Sequence, residues 1–367
     1  MASENNNYST SELQSIFFAK MDTLVGKFGP RFIIALSGGG DSLALTKLCA
    51  EYQKQKKCAD LAFRAVIIDH GIAKGSYLVA SNAAAIAKAI GIDAEILPIP
   101  TKITKSIQES ARIHRYELLR RAASLFGAKT IILGHNYDDQ IETILFRMSR
   151  KTGIDGVSGM RPEQISHDRI LVENTVLARP LLFASRNDLR RVLHEAAIKH
   201  YDDPANENFN FSRVKIRGIL ARIRSMGLDE RKLTKIGATA LRLREMQEKQ
   251  ALDFLSENLK IDKLEGKISI NLGAEESFFH RTAIGAIIQA LCGKTYLEIG
   301  KVESLLARIF EPRFKGATLA NLQIKRKKGE LVFSAAPKRK NADNNPSIDF
   351  DKITIALNAY LNNPSFI

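Results

Sequence analysis

Cysteine is scarce in this chain of 367 residues: Cys49, Cys58 and Cys292 are the only three, and they form neither a CxxC nor a paired framework. A disulfide-stapled fold and a thiolate metal centre are excluded, and a reducing cytoplasm is expected. Long apolar runs are missing as well. No stretch reaches the roughly 20 residues that a membrane helix needs. Residues 1–10 are polar and Asn-rich, without the charged start and apolar core of a secretory signal, so neither membrane nor export is expected. Acidic charge is in deficit. The 40 Asp and Glu against 55 Lys and Arg leave a net charge of +15, which favours polyanionic partners, nucleic acid ahead of an anionic membrane surface. The hydrophobic share of 45% is ordinary, so this excess charge decorates a chain with enough apolar residues for a full core and two or three domains.

An amphipathic helix is expected over 11–28. Four short apolar runs follow, at 32–36, 65–68, 94–99 and 130–133, alternating with helical stretches. Each run is apolar on consecutive residues, the pattern of strands covered on both faces, which predicts an α/β fold with a doubly wound, mainly parallel sheet. A Gly-rich connection over 152–160 leads to a β-ribbon through 170–182. Ser185 is placed as the N-cap of a helix reaching about residue 200. Pro204 makes 201–206 a loop, and the basic segment 213–217 opens the next helix. From about residue 227 the alternation stops. A long helix over 230–259 introduces a smaller, largely helical C-terminal region, in which 318–324 and 330–333 flank a basic turn as a hairpin. The expected divisions are an N-terminal helix (1–29), a catalytic domain (30–225), a C-terminal region (226–335) and a basic, Asn-rich tail (336–367).

In open α/β sheets ligands collect beyond the carboxyl ends of the strands. The residues there are Ser37, Gly38, Gly39, Gly40, Asp41 and Ser42 after the first run, Asp69, His70 and Gly71 after the second, and Gly134, His135 and Asn136 after the fourth. Three glycines opening a helix form a cradle for pyrophosphate, since no Cβ shields the backbone and the helix start offers free N–H groups. The loop lacks the lysine of the Walker motif and the spacing of the dinucleotide fingerprint. Asp41 either caps the helix or holds Mg²⁺ against the phosphates. Asp138, Asp139 and Glu142 are either an acidic first turn or a second metal-sharing group. Arg112 and Arg115, three residues apart, form a solvated stripe or a phosphate contact.

SGGGDS after a strand resembles the PP-loop ATP pyrophosphatases, which adenylate their substrates. Further blocks resemble the tRNA(Ile)-lysidine synthetase family in order: Ile68 to Gly71 with Ser76, Glu109 to Arg112 with Arg115 and Tyr116, and Gly134 to Thr143. They continue through Arg147, Gly153, Gly156, Gly159 and Met160, Arg179 to Leu182, Asp203, Pro204 and Asn206, and Arg213 to Arg217. The resemblance covers about 30–220. It departs where the usual second histidine is Asn136 and the usual Arg-Asn-Arg-Ile-Arg carries Val214 and Lys215.

The resemblance implies that ATP adenylates the C2 carbonyl oxygen of the wobble cytidine in a CAU-anticodon tRNA(Ile), and that the amine of L-lysine then displaces AMP. It implies ATP on residues 37–42, Mg²⁺ on Asp41 and Asp139, catalytic roles for Asp41, His135, Asp139 and Arg112, and tRNA contacts at His70, Arg115, Arg213, Lys215 and Arg217. A homodimer is compatible with this reading. The alternatives are a PP-loop tRNA thiolase, which the scattered cysteines disfavour, a small-molecule ligase, which leaves the basic charge unexplained, and a nucleotide-dependent RNA-binding module without chemistry.

Overall fold

The computed structural model describes residues 8–69, 71, 75–99, 107–149, 154–166, 175–200, 212–262, 264–273, 277–292, 299–311, 313–319, 321–327 and 329–336. It forms two compact units divided after Leu241. None of the described helices is long and apolar enough to cross a membrane.

The first unit opens with α1 (Thr10–Phe28), started by a capping box between Ser9 and Glu12. Leu13, Phe17, Met21 and Leu24 recur every three or four residues, share one face and are buried, each stabilising by about 1.5–3 kcal/mol. The chain then alternates through β1 (Arg31–Ala35), α2 (Gly40–Lys56), β2 (Ala62–Asp69), α3 (Ser76–Ala89), β3 (Asp93–Pro98), α4 (Ile107–Phe126), β4 (Thr130–Leu133) and α5 (Tyr137–Met148). A short α6 (Ile154–Val157), β5 (Glu163–Ser166), β6 (Thr175–Ala178), α7 (Arg186–Glu195) and α8 (Ser212–Ser225) follow. The six strands lie in the order β3-β2-β1-β4-β6-β5; all pairs are parallel except β5 with β6.

Alternate residues of the central strands serve two cores, as a doubly wound sheet requires. Phe32, Ile34 and Ile132 pack with α1, α2, α3 and α7. Ile33, Val66, Ile131 and Leu133 pack with α4 through Tyr116, Leu119 and Ala123. The chain leaves β1 towards β2 and β3, then returns to place β4 on the other side of β1. The crevice where the order reverses, between the ends of β1 and β4, is the ligand position of such sheets.

Three expectations are corrected here. The ribbon pairs β5 with β6, so its first arm lies at Glu163–Ser166, ahead of the expected 170. The helix after Ser185 ends at Glu195, because Ala197 adopts φ +52° and its N–H and that of Ile198 return to the carbonyls of His194 and Leu193. The span 318–324 is two strands rather than one arm, since Asn321 at φ +64° turns the chain between them. The loop 201–206 and the tail beyond Ala336 lie outside the described residues.

The second unit takes up the chain within α9 (Arg231–Asn258) and continues through β7 (Leu259–Asp262), β8 (Lys267–Asn271), α10 (His280–Cys292), α11 (Ile299–Ile309), β9 (Ala317–Leu319), β10 (Leu322–Lys327) and β11 (Glu330–Ala335). Its helices accompany an antiparallel sheet, β7-β8-β11-β10-β9, whose inner residues Ile268, Ile270, Ile324 and Phe333 pack with Ile284, Ile287 and Leu305. The expected hairpin is β10 with β11, pairing Lys327 with Glu330.

Candidate active site

The glycine loop is shaped from within. Gly38 sits at φ +86°, a conformation costly for any other residue. Ser42, buried at the base of α2, donates to the Gly39 carbonyl (2.9 Å) and accepts from the Ser37 N–H (3.2 Å), while the two hydroxyls lie 3.0 Å apart. Gly39 is the N-cap and brings no side chain to the first turn, so the N–H groups that open α2 are left to an anion. Across the crevice, a Cβ on Gly134 would stand 3.0–3.1 Å from the backbone of Asp41 and Ser42. Glycine there lets the end of β4 close onto the start of α2.

That closure brings the helix starts of α2 and α5 together with their acids. Asn136 caps α5 by accepting from the Asp139 N–H (2.9 Å), and Asp139 Oδ2 accepts from the Asn136 N–H in return (3.1 Å). The other Asp139 oxygen faces Arg186, whose Nη2 lies 3.1 Å away. The acidic first turn thus caps the helix and also pairs with Arg186. Asp41 lies 3.7 Å from the same guanidinium through Oδ2, and Glu142 3.5 Å through Oε1. Burial raises the Asp41 pKa to about 6, Asp139 and Asp138 add to the rise, and Arg186 and the nearby Asn136 amide oppose it. The Asn136 Nδ2 is buried but does not complete a hydrogen bond of normal geometry.

Arg186 is the residue that sequence reasoning missed. It occupies the first position of α7 behind the Ser185 cap, its N–H donates to Asp138 (2.8 Å), and four carboxylates hold its charge against burial. The available signal was a cation in the first turn of a helix, where the dipole disfavours it. Arg217 and Arg224 close the acidic side, Arg217 on Glu142 (2.8 Å) and Arg224 on Asp138 (2.8 Å). Burial works against ionisation of Asp138, but hydrogen bonds from Arg186 and Arg224 win and lower its pKa.

The opposite side is basic. Arg179, just beyond β6, donates to His135 Nδ1 (3.3 Å); burial lowers its pKa, Tyr116 opposes the fall, and the nearby Arg112 and Arg147 add to it. Arg112 and Arg115 both lie over the Tyr116 ring, at 5.2 and 5.6 Å.

The PP-loop domain model matches residues 13–223, the stretch that holds all of these groups except Arg224. A tRNA(Ile)-lysidine synthase of Bradyrhizobium sp. is 32% identical over 75% of this chain and 78% of its own length. The chain belongs to the tRNA(Ile)-lysidine synthase family. Another relative carrying that name, from Rhodopseudomonas palustris, is 36% identical over 59% of this chain, a match that spans 61% of that protein's length. A solved U34-tRNA thiolase from Methanococcus maripaludis shares the fold, with a TM-score of 0.51 at 17% identity over 64% of this chain and 80% of that one.

Within this lysidine synthase family member, Asp41, Asp139 and His135 stand around the glycine loop. Arg112 is exposed on the basic side, and Arg115 is half-buried beside it. Arg217 turns inward to Glu142, while Lys215, two residues earlier on α8, is exposed. His70 and the Arg213 side chain lie outside the described residues. The donor set suits a hard divalent cation: two carboxylates, Asp41 and Asp139, already converge on one cationic group. No cluster of three or more metal-ligating side chains occurs among the described residues.

Proposed function

We propose that the chain ligates lysine to C2 of the wobble cytidine in a CAU-anticodon tRNA(Ile), in the cytoplasm, at the expense of ATP. The observation that carries this reading is the convergence of the glycine loop, Asp41, Asp139 and His135 where the sheet order reverses, with acids on one side and Arg112, Arg147 and Arg179 on the other. Such a site suits a phosphate chain and a cationic amine together. The first-turn N–H groups of α2 take the β- and γ-phosphates. The cytidine C2 oxygen attacks the α-phosphorus, the bond to the leaving pyrophosphate breaks, and Arg112 steadies the charge that develops on the α-phosphate. The lysine amine then forms the new bond to C2, loses a proton, and AMP departs with the former carbonyl oxygen. Bound Mg²⁺, held by Asp41 and Asp139, supplies neutralisation of the phosphate charge. The four carboxylates Asp41, Asp138, Asp139 and Glu142, against the three arginines that pair with them, leave the negative field that a lysine side chain seeks. Exposed Lys215 and the net charge of +15 meet the tRNA backbone.

The two cysteines of the first unit lend a thiolase reading no support. Cys49 is buried in the core along α2, and Cys58 follows the C-terminal end of that helix, away from the glycine loop. The experiment that separates a catalyst from a non-catalytic nucleotide-dependent module omits lysine. With Mg-ATP and tRNA(Ile) alone, an adenylated RNA and pyrophosphate are expected. ATP binding without pyrophosphate release would favour the non-catalytic module and overturn the proposal.

A further inference from the structure

Arg179 opens the block Arg179 to Leu182 on the basic side of the site, next to His135. The register of the sheet explains its position. β4 and β6 run parallel with Ile132 opposite Ala178, so the residues just beyond both strands emerge side by side. They are Gly134 and His135 from one and Arg179 from the other. Arg179 is 6% exposed, and it is fixed at four points. Its own N–H donates to the Pro162 carbonyl (2.7 Å), Nη1 to the Arg161 carbonyl (2.8 Å), Nη2 to Gln164 Oε1 (3.2 Å) and Nε to His135 Nδ1 (3.3 Å).

A guanidinium has donors only and stays charged in a protein. The imidazole nitrogen that faces it must therefore offer a lone pair, which leaves the single ring proton on the other nitrogen. No carboxylate stands within ion-pairing distance of Arg179 among the described residues, and its charged neighbours are the guanidiniums of Arg112 and Arg147. A second proton on His135 would break the hydrogen bond and set two cations against each other in a buried place.

We infer that Arg179 is a positioning residue that fixes His135 as a neutral imidazole carrying its proton on Nε2. In the proposed reaction, on which this role but not the tautomer depends, His135 then donates a hydrogen bond from Nε2 to a phosphate or cytidine oxygen. It does not accept the proton that the lysine amine loses, since its acceptor nitrogen is already occupied.

The test has two parts. Nitrogen-15 spectra of the full-length, histidine-labelled protein at neutral pH, with the His135 signals assigned by their loss in His135→Gln, are expected to show Nδ1 unprotonated and Nε2 protonated. A protonated Nδ1, or an imidazolium, would overturn the inference. In Arg179→Met, which removes the donor and keeps most of the side-chain volume, the single tautomer is expected to give way to a mixture; an unchanged tautomer would also overturn it. Because Arg179 is buried and a variant there can fail to fold, the wild-type spectrum and a second series decide independently. His135→Ala is expected to slow tRNA adenylation about 100-fold, the usual cost of one donor at a developing charge. His135→Gln, which keeps an N–H near the Nε2 position but has no basic nitrogen, is expected to recover at least about tenfold of that loss, roughly 1.4 kcal/mol. A glutamine variant as slow as the alanine variant would mean that His135 works as a base. If the tautomer is found and no adenylation occurs with tRNA(Ile), the positioning stands and the proposed reaction falls.

Discussion

Replacing Arg186 by methionine keeps most of the side-chain volume and removes the cation on which Asp41, Asp139 and Glu142 converge. Removing one partner of a buried ion pair costs about 3–5 kcal/mol, because the other charge is left behind. The cost here is smaller: the Arg186 side chain retains 25% exposure, Asp41 retains 30%, and Arg217 stays on Glu142, which reduces the expected loss to about 2–4 kcal/mol. Urea denaturation of the whole chain measures it. The double variant with Asp139→Asn is the sharper assay, since it also removes a charge that Arg186 neutralised at 3.1 Å. Direct partners couple by about 0.5–3 kcal/mol, so the two losses should sum to more than the double variant shows by at least 1 kcal/mol or so. Mg²⁺ should raise the denaturation midpoint of Arg186→Met more than that of the wild type, because the ion supplies the missing charge. A loss below about 0.5 kcal/mol, or losses that add within that margin, would refute the reasoning.

Three further outcomes follow from individual contacts. Gly134→Ala forces a Cβ to within 3.0–3.1 Å of the α2 backbone, which has no side chain to swing aside; a stability loss of about 1–3 kcal/mol and weakened ATP binding by calorimetry are expected. Ala197→Gly relieves a left-handed residue at φ +52° and should stabilise by up to about 1 kcal/mol in denaturation experiments. On α8 two neighbours should separate cleanly. Lys215→Ala lowers the salt dependence of tRNA binding by about one unit of slope without changing stability, whereas Arg217→Ala leaves Glu142, which is 5% exposed, with Arg186 alone at 3.5 Å and destabilises the fold by about 2 kcal/mol.

How far the sequence revealed this site depended on whether a signal was local. β1, β2 and β4 were legible because each holds an unbroken apolar run, β3 because Glu95 alone interrupts one, and the glycine loop because its residues are contiguous. β5 was not: its four residues begin Glu163-Gln164, at an edge where no second sheet neighbour demands apolar side chains. β7 was not read as a strand after the long helical stretch ending at residue 259, since Leu259–Asp262 alternates in exposure over only four residues. Arg186 and Arg179 reach the site through the docking of α7 on α2 and the register of β4 with β6, neither of which leaves a mark in the spacing of residues. The end of α7 was hidden for a simpler reason, an alanine where such a turn usually has glycine.

The most direct test of the proposed reaction incubates the full-length protein with Mg-ATP, radiolabelled lysine and either CAU-anticodon tRNA(Ile) or elongator tRNA(Met). Label in the isoleucine tRNA alone, lost in Asp41→Ala, is the predicted result. Pyrophosphate release with no lysine in either RNA would keep the adenylation and contradict the ligation.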